Sequence, residues 1–302
     1  MRIAGALAAG ALVAGMIVAG AATAPAARAA AGQKRTAPAA KAASAPAGVL
    51  SHYAELANAA TGANLWSRSS VIERPMGSVT KVMTAYVVLT APGLSLNRVI
   101  AVPAGIVAYD AGGASTAGLR PGEKLTTRQL LFAMMLPSGC DAAYTLASAY
   151  GPGLTAFIAK MNATARKLGL AKTHFTDPSG LPDPGPYSTY STARDLIALG
   201  RDAMGNKTFA AIVATRQYKV AATAGHLAHT WKNLNPLLAV VPGAIGIKTG
   251  FTGAAGQCLL FEVRRGSKTL IGVVLDSSGV NSPSLAAAAA DAAAMLDWGF
   301  GR

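Results

Sequence analysis

"GAIGIKTGFTGAAGQCLLFEVRRGSKTLIGVVLDS" occupies residues 243–277. It holds three runs rich in β-branched, aromatic and leucine residues. Short breaks at 253–256 and 265–267 separate them. Such runs, joined by tight glycine-containing turns, read as three consecutive antiparallel strands. A second hairpin signal lies far upstream. "SHYAELANAATGANLWSRS" (51–69) has two extended runs around Thr61-Gly62-Ala63-Asn64. Sheet segments therefore sit at both ends of the folded region.

Helices fill the middle. "GSVTKVMTAYVVLTA" (77–91) carries apolar residues at helical spacing, with Ser78 near its start and Pro92-Gly93 after it. Residues 99–102 read as a short strand and "YDAGGASTAGLRPGE" (109–123) as a loop. "TTRQLLFAMML" (126–136) is a helix capped by Thr126 or Thr127 and ended by Pro137. Further helices are expected at 141–149, at the amphipathic run 154–170, and at 192–204 and 206–215. The four prolines of 173–191 make that stretch irregular. Residues 217–222 read as a short strand, and alanine-rich 284–300 as the closing helix. The expected class is α+β, with both ends of the domain meeting in one antiparallel sheet.

The chain has 302 residues. Its first segment is not core. Arg2 precedes the uncharged apolar run "IAGALAAGALVAGMIVAGAA", and "AARA" at 26–29 fits a small-x-small cleavage site. Residues 1–29 read as a secretory signal peptide, with an uncleaved N-terminal anchor as the alternative. Residues 30–48, rich in Ala, Pro and basic side chains, read as a disordered tether. The folded domain is expected over 49–302. Net charge is +14, or +12 once Arg2 and Arg28 leave with the signal. Export argues against a nucleic-acid partner. An anionic cell-envelope surface is the alternative to simple solubility.

Metal chemistry is poorly supported. His226-x-x-His229 offers two ligands, but no acidic residue lies between Asp202 and Glu262. A zinc site needs at least three protein ligands. No Gly-x-Ser-x-Gly elbow or phosphate-binding loop occurs, and no cofactor is expected. Cys140 and Cys258 could pair in an oxidising compartment, but a domain this large does not need the bridge.

A serine–lysine system fits better. Ser78 and Lys81 stand at i, i+3, on one face of a helix start. A lysine held neutral by burial and a second cation can serve as base to a serine. Free N–H groups at the helix N-terminus suit an oxyanion. Ser-x-x-Lys alone reads as a capped surface helix. Here it is followed by Ser138-Gly139-Cys140 at another helix start, then by Lys248-Thr249-Gly250 on the first strand of 243–277. Ser-x-x-Lys, Ser-x-Asn and Lys-Thr-Gly in this order mark penicillin-binding proteins and class A β-lactamases.

On these motifs the chain resembles the serine-type D-alanyl-D-alanine carboxypeptidases, the low-molecular-mass penicillin-binding proteins. The likeness extends to "ERPMGSVTKVMTAY" (73–86), "LRPGEKLTTRQLLFAMMLPSGCDAAYTLA" (119–147), "FIAKMNATARKLGLAKTHFTDPSGL" (157–181), "STARDLIALGRDAM" (191–204), "KNLNPLL" (232–238) and "GIKTGFTGAAGQCLL" (246–260). The Ser-Gly-Cys second motif resembles an actinomycete DD-transpeptidase branch. The resemblance implies the penicillin-recognising fold: a five-stranded antiparallel sheet flanked by helices, with a helical lobe.

It also implies roles. Ser78 is the expected nucleophile, Lys81 its base, and Ser138 the relay to the leaving amine. Lys248 is expected to supply positive charge that holds Lys81 neutral. Lys248, Thr249 and Thr252 would receive the substrate's terminal carboxylate. Ser78 and Phe251 would give oxyanion N–H groups, with Gly250 and Cys140 lining the substrate site. The implied partners are peptidoglycan stem peptides, with β-lactams as inhibitors, acting on an exported monomer. Relatives often carry a second β-rich domain and a C-terminal anchor. The closing helix at 284–300 makes neither expected here.

Two other classes remain. A class A-like β-lactamase uses a glutamate for deacylation, and no glutamate lies between Glu123 and Glu262. A non-catalytic binding module would keep the groove without the chemistry. Asp141 and Asp195 read as residues favouring helix N-termini, and Trp231 and Trp298 as core or rim. The usual third residue of the second motif is asparagine. Cys140, a weak donor, either lines the cleft or is a small buried residue.

Overall fold

The computed structural model describes residues 45–277 and 285–302. The expected export signal and all but the end of the tether lie outside the described residues. The described body opens with backbone N–H groups of Leu50 and Ser51 donating to the Asp291 carboxylate, both at 2.7 Å. Asp291 belongs to the last helix, so the two ends of the domain are tied together.

The three-strand reading of 243–277 holds. β7 (Ala244–Thr252), β8 (Gly256–Arg265) and β9 (Lys268–Ser277) pair antiparallel. The upstream hairpin is β1 (Tyr53–Asn58) and β2 (Asn64–Arg68). β1 pairs with β9, from Tyr53↔Leu275 to Asn58↔Leu270, which completes a five-stranded sheet of order β2-β1-β9-β8-β7. β7 is thus an edge strand, and an edge leaves backbone groups unpaired on its outer side.

Both faces of the central strands are buried, which is why they read as near-continuous apolar runs rather than alternating ones. On one face Leu259, Phe261, Val263, Leu270 and Val274 pack with Ala288, Ala292, Met295 and Leu296 of α9 (Ala286–Phe300). On the other, Cys258, Leu260, Ile271 and Val273 join the larger core shared with the helices.

Those helices are α1 (Lys81–Leu89), α2 (Val107–Ala111), α3 (Thr127–Met135), α4 (Cys140–Tyr150), α5 (Leu154–Lys167), α6 (Ala193–Met204), α7 (Lys207–Ala214) and α8 (Leu237–Val240). A 3₁₀ turn, Gly77–Thr80, leads into α1. Thr126, not Thr127, caps α3: its hydroxyl accepts from the Gln129 N–H while the Gln129 amide oxygen accepts from Thr126 N–H. This is a capping box.

Several expectations shift. The stretch 109–123 is not all loop, because α2 runs to Ala111. Three short elements carried no clear signal: β4 (Lys124–Thr126), which pairs with β3 (Val99–Ala101); β6 (His229–Lys232), which pairs with β5 (Gln217–Val220); and α8. Segments of three or four residues show too little periodicity to be read. No helix among the described residues is long and apolar enough to cross a membrane.

Candidate active site

Ser78 sits on the 3₁₀ turn before α1, where two backbones approach closely. Gly77 has φ +51°, and a Cβ there would lie 2.8 Å from Phe251 N. On the facing strand, a Cβ at Gly250 would lie 2.4 Å from Met76 O and 3.2 Å from Ser78 N. Glycine at both positions lets β7 slide its edge against the Ser78 turn. The amides of Ser78 and Phe251 flank this crossing.

Lys81, the first residue of α1, is fully buried. Its Nζ donates to Ser78 Oγ at 2.8 Å, to Ser179 O at 3.0 Å and to Cys140 Sγ at 3.4 Å. Burial of so polar a group demands such partners. The i, i+3 spacing brings one of the three partners, Ser78, to Lys81. Tertiary packing brings the rest.

Cys140 opens α4 and is 2% exposed. Its N–H donates to Ser115 O at 2.8 Å. Both cysteines are free thiols. Of the two readings the sequence left open, Cys140 follows the second: it is buried, touches Lys81 and does not line the cavity that Ser78 opens into. Cys258 lies on β8, where burial pushes its thiol up to about 12. Ser138 holds φ +65°, a left-handed conformation that costs a non-glycine residue about 1 kcal/mol or more. It lies on the turn between α3 and α4 and faces the cavity.

Lys248 is also buried, and its Nζ donates to Thr249 O at 3.0 Å and Thr249 Oγ1 at 3.2 Å. Burial, and then the charge of Lys81, holds Lys248 well below the usual lysine range, with Cys140 opposing. The expected effect was of Lys248 on Lys81. The resolved effect falls on Lys248.

Ser78, Ser138, Thr249, Gly250 and Phe251 line a cavity of about 210 Å³, closed by Ser115, Leu234 and Leu285. Cys140, Lys248 and Thr252, also expected at the site, are not part of this lining. Thr252 Oγ1 accepts from Ala255 N–H at 3.0 Å inside the β7–β8 turn. A hydroxyl on the last residue of a strand can serve the turn or the cleft, and here the turn takes it.

Other residues at the site had no assigned role in the sequence. Ser179 O receives Lys81 because Asp177 Oδ1 gathers the N–H groups of Ser179, Gly180 and Leu181 at 2.7, 2.7 and 3.0 Å. The Asp-Pro-Ser-Gly string at 177–180 is the signal of an Asx-type turn, but nothing in it points to Lys81. Asp141 does more than favour a helix end. Its carboxylate accepts from Ala117, Leu119 and Ala142 N–H at 2.8–3.0 Å, which clamps the wall carrying Ser115. Burial, then Asp177 and Cys140, push the Tyr109 phenol up, so α2 brings a tyrosine close to these groups.

The two histidines diverge. His229 Nε2 lies 3.1 Å from Glu123 Oε1 and its ring stacks on Trp231, whereas His226 Nδ1 meets Leu227 O. Trp231 is buried and donates to Ala117 O at 2.9 Å.

A family model described as D-alanyl-D-alanine carboxypeptidase matches residues 39–279. The chain belongs to the D-alanyl-D-alanine carboxypeptidase family. It is 42% identical over 254 residues to a D-alanyl-D-alanine carboxypeptidase of Streptomyces sp. strain K15, covering 80% of this chain and 84% of that one. It is 38% identical over 240 residues to the carboxypeptidase DacB2 of Mycobacterium tuberculosis, covering 80% and 79%. The crystal structure of the Streptomyces K15 DD-transpeptidase superposes with a TM-score of 0.78 at 40% identity, over 84% of this chain and 98% of that one. A Mycobacterium tuberculosis D-alanyl-D-alanine carboxypeptidase gives 0.75 at 34% identity, over 85% and 96%. The sheet and helices are those of the penicillin-recognising serine peptidases, and the chain is a serine DD-peptidase.

Proposed function

We propose that Ser78 is the nucleophile of this DD-peptidase and Lys81 the base that takes its proton. The observation that carries the assignment is the buried Lys81 Nζ, 2.8 Å from Ser78 Oγ. That distance is within reach for direct proton transfer.

Ser78 Oγ attacks the carbonyl of the penultimate D-alanine of a peptidoglycan stem peptide as its proton passes to Lys81 Nζ. The N–H groups of Ser78 and Phe251 hold the developing oxyanion. Collapse breaks the peptide bond. The leaving D-alanine nitrogen receives a proton through Ser138, leaving an ester on Ser78. Water, or the amine of a neighbouring peptide, then attacks that ester and restores Ser78.

Lys248 and Thr249 receive the terminal carboxylate. That carboxylate favours the charged form of Lys248, which burial and then Lys81 otherwise disfavour. A β-lactam acylates the same serine, and its amine leaving group stays tethered in the site.

The reading includes export under the 1–29 signal, action as a monomer, and loose association of the basic domain with the anionic envelope. Incubation with a bis-acetylated Lys-D-Ala-D-Ala peptide, with and without glycine, tests the chemistry by mass spectrometry. The acid product means hydrolysis and the glycyl product means transfer. Neither product, together with absence of penicillin labelling on Ser78, overturns the assignment.

A further inference from the structure

A second cavity, about 400 Å³, opens between α1 and α5, away from the catalytic residues. Its volume is within the range of small-molecule sites, which are mostly apolar with a few placed polar groups. Val87, Ala91, Pro92 and Leu168 supply the apolar wall, and the rings of Tyr86 and Tyr150 extend it.

Its charge is one-sided. Lys160 and Lys167 stand at i, i+7 on α5, so they share a face about 10 Å apart. Between them the helix presents only Ala163 and Thr164, short side chains that leave the groove open. None of the lining residues is acidic. The carboxylate that acts on the Tyr86 phenol, Asp202, belongs to α6 and is not part of the lining. Lys160 Nζ donates to Tyr150 O at 2.5 Å, which draws its ammonium to the rim and leaves further N–H donors. Two cations over an apolar floor, with no counter-charge in the lining, match a ligand with an aliphatic body and one anionic head.

We propose that this groove binds an amphipathic anion of the fatty-carboxylate class, its chain against Val87, Ala91, Pro92 and Leu168 and its head between Lys160 and Lys167. Tyr86 and Val87 of the lining belong to the nine-residue helix that begins with Lys81.

The probe is decanoate, titrated calorimetrically into the folded protein, with decanol as the uncharged control. Saturable one-site binding of decanoate is expected, with decanol weaker by about tenfold or more. A Lys160→Gln, Lys167→Gln double variant should lose binding by a similar factor. Ala163→Trp, which fills the groove, should abolish it. Undiminished penicillin labelling of Ser78 in each variant reports an intact fold. Should Ala163→Trp fail to fold, the surface lysine pair still decides. No saturable decanoate binding overturns the proposal. Equal binding of decanol, or unchanged binding by the lysine double variant, does so too.

Discussion

Glu262→Gln tests whether burial of an acid under the sheet governs the pH dependence of stability. Glu262 lies on β8, 5% exposed, beside a small cavity shared with Arg201, Met204 and Arg264. Burial pushes its carboxyl up from 4.5 to about 7, with Arg264 partly opposing. The folded state therefore holds the proton more tightly than the unfolded state. The linked stabilisation is complete below about pH 4.5 and is lost as pH rises through about 7. At about 1.4 kcal/mol per pH unit of difference, the full loss is about 3 kcal/mol. Glutamine keeps the shape and cannot ionise. The advantage of the variant should be under about 1 kcal/mol near pH 5 and grow by about 2–3 kcal/mol by pH 8. Urea melts at pH 5, 6, 7 and 8 measure this as a difference in midpoint that widens with pH, and heating should show roughly 2–4 °C per kcal/mol. Parallel curves for the two proteins across that range would refute the reasoning.

Four other outcomes follow from the site. Lys81→Ala should slow acylation by fluorescent penicillin by a factor on the order of 10²–10⁴, the usual worth of a general base, with a near-normal melting temperature. Gly250→Ala should lose labelling and about 1–3 kcal/mol of stability, because its Cβ would meet Met76 O at 2.4 Å. Asp177→Ala releases the turn that aims Ser179 O at Lys81; acylation should fall about tenfold or more, and Asp177→Asn should recover part of it. Blocking Cys140 with a mercurial should stop acylation in the parent and leave Cys140→Ala unaffected. Full activity of quantitatively modified parent protein would show that the thiol contact with Lys81 is dispensable.

Much of the fold was legible because its signals are local. The strands of 243–277 and the hairpin at 51–69 carry β-branched runs bounded by tight turns. α5 and α6 carry helical periodicity and α3 a threonine pair, Thr126 and Thr127, at its start. Ser78 and Lys81 were legible for the same reason, since i, i+3 on a helix start is a local geometry. Ser138 and Lys248 were legible only through their resemblance to known motifs. Nothing in Ser-Gly-Cys or Lys-Thr-Gly states which faces will meet. Short strands such as β4 and β6 escaped notice because three or four residues are held by their partners rather than by propensity.

The sequence by itself determined the class of chemistry, through its motifs, and the α+β order. These depend on residue type and on spacing within single elements. The tertiary structure alone decided that β1 lies beside β9, that β7 is the edge strand, and that its glycine register admits the Ser78 turn. It decided that Lys81 shares its donors among Ser78, Cys140 and Ser179, and that Thr252 serves a turn instead of the cleft. It also opened the groove between α1 and α5. Those outcomes depend on contacts between residues tens to hundreds of positions apart. Such contacts form where burial of both faces of the sheet, and hydrogen-bond partners for each buried polar group, can be satisfied at once.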